Sequence, residues 1–243
     1  MHILITRPEP DASRWRELLQ ARGVTVSVEP LLHIELLPPQ NIDLTGVQAL
    51  IATSRNGLRG LRGSPALTHL IALPIFTVGP GTAELSRELG FGRVHQGPAS
   101  ARDLVGVIQT GADPQDGALL HLAGDKLAFD LARALAPRGF EVRRLAVYRS
   151  QPAKTLQDHT MLALASGAID TVVSMSPLSA KTFVTLCEQT NLSLQCQRLV
   201  YICLSDNVAK ALAPLKPLTV HVAPEPNSQA MFTLIEALAA RPV

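Results

Sequence analysis

Short apolar runs of the buried-strand type alternate along this chain with segments whose apolar positions recur every three or four residues. ILIT at 3–6 ends at the turn Arg7-Pro8-Glu9-Pro10, and residues 11–21 then read as a helix that stops at Gly23. Residues 24–28 read as the next strand. Further strands are expected at 47–53, 73–78, 93–96, 118–122 and 140–147, with helices at 56–62, 81–89, 100–109 and 126–137. The pattern resumes with helices at 155–166, 178–189, 206–213 and 228–240, and strands at 169–174, 198–203 and 218–222. Residues 35–46, which carry Pro38-Pro39, and residues 149–154 read as connections. Alternation this regular predicts an α/β protein whose parallel sheets are covered by helices on both faces.

The same strand–turn–helix pattern occurs twice. VQALIATSRNGLRGL at 47–61 matches IDTVVSMSPLSAKTFVTL at 169–186, which pairs Ser54 with Ser176. IFTVGPGTAELSRELG at 75–90 matches VYICLSDNVAKALAPL at 200–215, which pairs the Gly79–Ala83 turn with Ser205–Ala209. The last block holds too few strands for a sheet of its own, and the opening block supplies two more. That opening block resembles residues 119–150, with ILITRP against LLHLAGD and ARGVTV against PRGFEV. The expected organisation is therefore a discontinuous first domain, 1–35 with 150–243, and a continuous second domain, 36–149. Each half is large enough for its own core.

Composition narrows the function classes. With 47% hydrophobic and 17% charged residues the chain is globular, and a net charge of +2 without an aromatic-basic stripe gives no reason to expect nucleic acid. Arginines outnumber lysines 17 to 5, which suits carboxylate recognition by a planar fork and is also what a G+C-rich genome produces. Cys187, Cys196 and Cys203 are odd in number and lack CxxC spacing, so neither a disulfide framework nor a zinc site is expected. The seven histidines are scattered singly, and no metal is expected. The N-terminus reads as a strand rather than a leader, and no apolar run approaches the roughly 18 residues of a membrane span. A cytoplasmic location away from membranes is the expectation.

Several residues can carry chemistry. Gly79-Pro80-Gly81-Thr82-Ala83 is a glycine turn opening a helix, where backbone N–H groups can hold an anion such as a carboxylate. It equally suits a tight turn in which Thr82 bonds its own backbone. A dinucleotide fingerprint would need glycine where Glu84 stands, and no phosphate-loop lysine is present. Ser54 and Ser176 sit where serine caps a helix, and their recurrence in both halves is what lifts them above capping. Arg7 follows the first strand and can pair a carboxylate bidentately or sit in the turn. Gly124 and Asp125 close a strand, with Asp125 read as a helix cap. Tyr148 ends the strand LAVY at a domain crossover, where a phenol with a pKa near 10 can give a proton to a departing oxygen or serve as packing. Tyr201 lies inside an apolar strand and reads as structural.

Taken in order, ILITRP, ARGVTVSVEPLLHI, LIATSRNGLR, FTVGPGTAELSRELG, HLAGD, RGFEVRRLAVYRS, VVSMSPLSAKTF and VYICLSDNVAKAL resemble the uroporphyrinogen-III synthase family over nearly the whole chain. The resemblance implies two flavodoxin-like parallel-sheet domains, the first discontinuous, joined by a two-stranded connector with the active site in the cleft. It implies a lyase that closes hydroxymethylbilane to uroporphyrinogen III, inverting ring D with loss of water and without a cofactor. Hydroxymethylbilane synthase would be a transient partner. The family's VY motif falls on Tyr148 as proton donor, its TS motif on Thr53 and Ser54, and its VGxxTA turn on Gly79, Thr82 and Ala83. Its HLAGD segment brings in Gly124, and its second-half serine is Ser176. The departure is at residues 204–209, where many members carry IGxxTA. Here Ser205 replaces the glycine and Val208 the threonine, so Ser205 is the substitute hydroxyl and Val208 is no ligand. The rival reading is a hinged two-domain module that binds a small ligand without catalysis.

Overall fold

The computed structural model describes residues 1–39, 41–98 and 100–240. Gln40 in the expected connection, Ala99 in the expected second domain and residues 241–243 at the end of the first lie outside the described residues. The elements begin with β1 (His2–Ile5), α1 (Asp11–Gln20), β2 (Thr25–Val28), β3 (Leu32–Leu36), β4 (Val47–Ala52), α2 (Arg55–Arg59) and α3 (Leu67–Leu70). They continue with β5 (Ile75–Val78), α4 (Gly79–Glu88), β6 (Val94–Gly97), α5 (Ala101–Gly111), β7 (Ala118–Gly124), α6 (Leu131–Leu135) and β8 (Val142–Pro152). The remainder is α7 (Asp158–Ala165), β9 (Thr171–Ser174), α8 (Pro177–Gln189), α9 (Ser193–Gln197), β10 (Val200–Cys203), α10 (Asp206–Ala211), β11 (Thr219–Val222) and α11 (Ser228–Ala239).

The chain divides into two compact units, Met1–His33 with Gln151–Val243, and Ile34–Ser150. The first holds a sheet in the order β11-β10-β9-β1-β2, with parallel pairs throughout. Counted along the unit this is 2-1-3-4-5, the flavodoxin-like order, and the strand order reverses between β1 and β9. The second sheet runs β3-β8-β7-β4-β5-β6. Its parallel strands from β4 to β8 follow the other doubly wound order, 3-2-1-4-5, with the reversal between β4 and β7 and with β3 added outside β8.

Alternation along the strands explains why helices cover both faces. Leu4, Val172, Tyr201 and Cys203 enter one cluster of the first unit, while Ile3, Ile5, Val173 and Ile202 enter the other. In the second unit Leu50, Ala52, Leu120 and Leu122 face one way and Ala49, Ile51 and Leu119 the other. Tyr201 is structural, buried with its hydroxyl donating to the Cys196 carbonyl at 2.7 Å.

Three local expectations are corrected. Residues 35–46 and 149–154 are not purely connections, because β3 runs to Leu36 and β8 to Pro152. Arg149 meets Glu35 at 3.4 Å, and the Leu37 N–H donates to the Val147 carbonyl, which keeps both segments extended. The helix expected at 126–137 is α6 alone followed by one 3-10 turn. It starts late because Asp130, not Asp125, caps it, accepting from the Arg133 N–H at 3.0 Å. The Asp125 carboxylate instead accepts from the Ser150 N–H at 3.3 Å and lies 3.9 Å from Arg149.

Helix α2 rests directly on strand backbone. A Cβ on Gly57 would stand 2.6 Å from the Leu122 carbonyl oxygen, and one on Gly60 would run into the Val147 carbonyl oxygen. Neither obstacle is a movable side-chain end, so α2 must lift away if either gains a methyl group. Gly57→Ala and Gly60→Ala are each expected to destabilise the protein by about 1–3 kcal/mol, as overpacking does. Denaturant titration of the two variants checks this, and Gly92→Ala, which has open space at its Cβ, is the control.

Candidate functional site

The sequence-predicted residues fall at the C-terminal ends of strands, and several flank the strand-order reversals. In open α/β sheets that is where ligands bind. In the first unit Arg7 follows β1 and Ser176 follows β9, the two strands of the reversal, while Ser205 follows β10 beside them. In the second, Thr53 and Ser54 follow β4, Gly124 ends β7, and the Gly79 turn follows β5. Tyr148 lies within β8, in register with Gly124.

A bulge aims Tyr148. Ala123 pairs with Ala146, but Gly124 pairs with Tyr148, so Val147 is the extra residue. Strict alternation would send Val147 and Tyr148 to opposite faces. Instead both pack on the α2 side, Val147 fully buried and Tyr148 half-buried. The phenol lies against Gly124, where a Cβ would be 2.7 Å from Cζ and 3.0 Å from the hydroxyl oxygen. Arg144 donates to the Gly124 and Asp125 carbonyls, and the Asp125 N–H donates to the Tyr148 carbonyl at 3.0 Å, so the backbone under the ring is held from both sides.

Ser54 caps α2, accepting from the Asn56 N–H at 3.2 Å, and its hydroxyl is the side-chain hydrogen-bonding neighbour of the phenol. Burial pushes the Tyr148 phenol above its ordinary pKa of 10; Ser54 and Arg144 pull it down, while Asp125 adds to the rise. The phenol therefore keeps its proton at neutral pH. Thr53 Oγ1 stands 3.2 Å from Nε2 of His121, a histidine only 3% exposed. Burial first and Arg144 second lower His121 to about 4, against a smaller opposing effect of Asp130, so the imidazole is neutral at pH 7.

At the glycine turn, Gly79 has φ +68°, its N–H donates to the Pro98 carbonyl, and a Cβ on Gly81 would lie 3.7 Å from the Arg55 guanidinium. Thr82 is buried. In the first unit Arg7 is already engaged. It pairs with Asp11 at 3.4 Å, reaches the Met175 sulfur at 3.0 Å and lies over the Trp15 ring. Ser176 caps α8, accepting from the Ser179 N–H at 3.0 Å. Ser205 occupies the same place before α10 but makes no side-chain capping bond, and Val208 is packed in the core. His121 and the bulge were missed in the sequence. A lone histidine inside the buried run ALLHLAG and the adjacent Val-Tyr that breaks period-two alternation were the available signals.

A cavity of about 560 Å³ lies elsewhere, lined by Gly167, Asp170, Leu194 and Arg198 near the N-terminal ends of β9 and β10. Among the described residues no cluster of three or more His, Cys, Asp or Glu side chains could hold a metal, and no helix is long and apolar enough to cross a membrane.

The family model described as Uroporphyrinogen-III synthase HemD matches residues 13–233. The chain belongs to the uroporphyrinogen-III synthase family. Uroporphyrinogen-III synthetase from Helicobacter pylori 26695 has the same fold, with 18% identity, 99% of each chain covered and a TM-score of 0.64. A mutant uroporphyrinogen III synthase from the extremely thermophilic bacterium Thermus thermophilus aligns over 99% of this chain and 100% of its own, with 18% identity and a TM-score of 0.60. No curated protein matches the chain. The fold class expected from the sequence, paired parallel sheets of a uroporphyrinogen-III synthase, is thus the observed one.

Two outcomes test this geometry. If Tyr148 is the proton donor, Gly124→Ala, which pushes the phenol off its seat, should cost about 10²-fold in activity, within the range expected for removing the hydroxyl. Thermal unfolding should remain near wild type, since the Cβ meets a movable ring. Ultraviolet titration checks the phenol itself. Tyr148 and Tyr201, the only tyrosines, are both raised by burial, so the folded protein should show less phenolate absorbance at pH 10 than two free tyrosines, which are half ionised there.

Proposed function

We propose that this chain acts as a uroporphyrinogen-III synthase, a lyase that closes hydroxymethylbilane with inversion of ring D and loss of water, and that Tyr148 gives the proton to the leaving hydroxyl. The family acts on hydroxymethylbilane. The observation that carries the role of Tyr148 is a protonated phenol turned by a bulge onto Gly124 at the C-terminal edge of its sheet. The C–O bond breaks as the phenol proton moves to oxygen, water leaves, and the pyrrole nitrogen lone pair stabilises the azafulvene cation. The substituted carbon of ring D then attacks, the spiro intermediate fragments, and the macrocycle recloses. The proton lost as the pyrroles regain aromaticity balances the one the phenol gave, so the net change is one water and no redox partner is needed.

The substrate's carboxylates call for many donors. Arg7, Ser176 and Ser205 in the first unit, with Thr53, Ser54, Thr82 and the Gly79 turn in the second, are the residues we assign to them. The reading carries with it a cytoplasmic location and a transient contact with hydroxymethylbilane synthase, which would shorten the exposure of a labile substrate. The binding-module alternative has no comparable support.

Purified protein given fresh hydroxymethylbilane should yield predominantly isomer III after oxidation. Isomer I alone, at the protein-free rate, would replace the synthase by the binding module. Tyr148→Phe should lower kcat by about 10²–10⁴-fold, the usual contribution of a positioned proton donor, with an unchanged circular dichroism spectrum. Wild-type turnover in that variant would remove Tyr148 from the chemistry.

A further inference from the structure

In both units the threonine that follows the first strand of the reversal reaches across to the second strand. Thr6, after β1, donates its hydroxyl proton to the Val173 carbonyl of β9 at 2.9 Å. Thr53, after β4, meets β7 instead through Nε2 of His121, at 3.2 Å. The difference matters chemically. A carbonyl only accepts, so the Thr6 proton is consumed within the protein, whereas an imidazole nitrogen can donate and leave the threonine proton free. Thr6 is fully buried, while Thr53 is partly exposed at the edge where the ligand is expected.

His121 is costly for its place. It is the one polar side chain in a seven-residue strand that is buried throughout, where leucine would fill the space without a desolvation cost. Two charged groups act on the ring. Arg144 is its register partner on β8, the neighbour opposite β4, and Asp130 precedes α6. With Nε2 directed at β4, the stronger positive field of Arg144 favours a bare lone pair at Nδ1 and the proton at Nε2.

We propose that His121 is a positioning residue: its Nε2–H donates to Thr53 Oγ1 across the β4–β7 seam and turns the Thr53 hydroxyl proton outward, to donate to a carboxylate of the substrate. The role of Thr53 rests on the synthase reading; the tautomer of His121 does not. The pair sits on the opposite sheet face from the Tyr148 ring, so it belongs to substrate holding and not to proton transfer.

The test combines a spectrum and a mutant cycle. In ¹⁵N-correlated spectra of the wild type, assigned by difference from His121→Gln, the His121 ring should be the neutral Nε2–H form at pH 7. His121→Leu should raise KM about tenfold, as loss of one hydrogen bond to a charged group does, with kcat within about threefold and a larger share of isomer I. His121→Gln, whose amide can donate from nearly the same place, should restore KM. Thr53→Val should match His121→Leu, and the double variant should be no worse than either. An Nδ1–H ring, an unchanged KM in His121→Leu, or additive effects in the double variant would each overturn the proposal. The failures are separable: isomer I alone from wild type sinks the synthase reading, and an Nδ1–H ring sinks the positioning whatever the wild type makes.

Discussion

Everything at the Tyr148 edge depends on one extra residue in β8. The bulge at Val147 gives up regular pairing with β7, yet its two carbonyls are not left unpaired. The Val147 carbonyl accepts from the Leu37 N–H at 2.8 Å and the Tyr148 carbonyl from the Asp125 N–H at 3.0 Å. Burial of the Val147 side chain offsets what remains of the lost ladder. The consequence is that two consecutive residues face the same layer, and the second is the phenol. Room for it comes from three absent side chains: Gly124 beneath the ring, and Gly57 and Gly60, which let α2 sit on the carbonyls of Leu122 and Val147. Because α2 sits that low, its cap Ser54 comes beside the phenol, so the geometry at Tyr148 is a packing consequence before it is a chemical one.

The alternation of strands and helices, and the internal repeat, were legible because both sheets are buried on both faces and their strands read as apolar runs. The residues after β1, β4, β5, β9 and β10 were legible for the same reason: a run that stops at Arg7, Ser54, Gly79, Ser176 or Ser205 marks a strand end. What was not legible depends on contacts distant in sequence. Asp125 looks like a cap because a helical pattern follows it, yet Ser150 and Arg149 take its carboxylate and Asp130 takes the helix. β8 extends past its apolar run because β3 lies beside it, and no period within residues 149–152 reports that. The sheet order of the second unit likewise follows from which strand pairs with β4, a fact no local pattern carries.

The two units share a plan but not its electrical content. At the first reversal a guanidinium stands beside the seam, already paired with Asp11 and lying on Trp15. A carboxylate ligand there must share or displace that partner, so Arg7 offers selectivity for an anion more than raw affinity. At the second reversal Thr53, Ser54, the His121 imidazole and the nearby Tyr148 phenol are uncharged, with Arg144, Asp125 and Asp130 acting on them from beside the seam.

In the mechanism we propose, a weak acid serves. By Brønsted reasoning a phenol above pKa 10 is poorly matched to neutral pH, and acid strength alone would favour a histidine or a carboxylic acid. The leaving hydroxyl, however, departs with the push of a pyrrole lone pair and needs a proton near it more than a strong donor. A phenol that has given its proton stands as a phenolate beside the carbon cation, and as a stronger base than a carboxylate it more readily takes up the proton that the pyrroles release. Burial of Tyr148, by raising its pKa, keeps the phenol protonated in the resting protein. In that mechanism the isomer formed is decided by how the chain is held rather than by how strongly its oxygen is protonated.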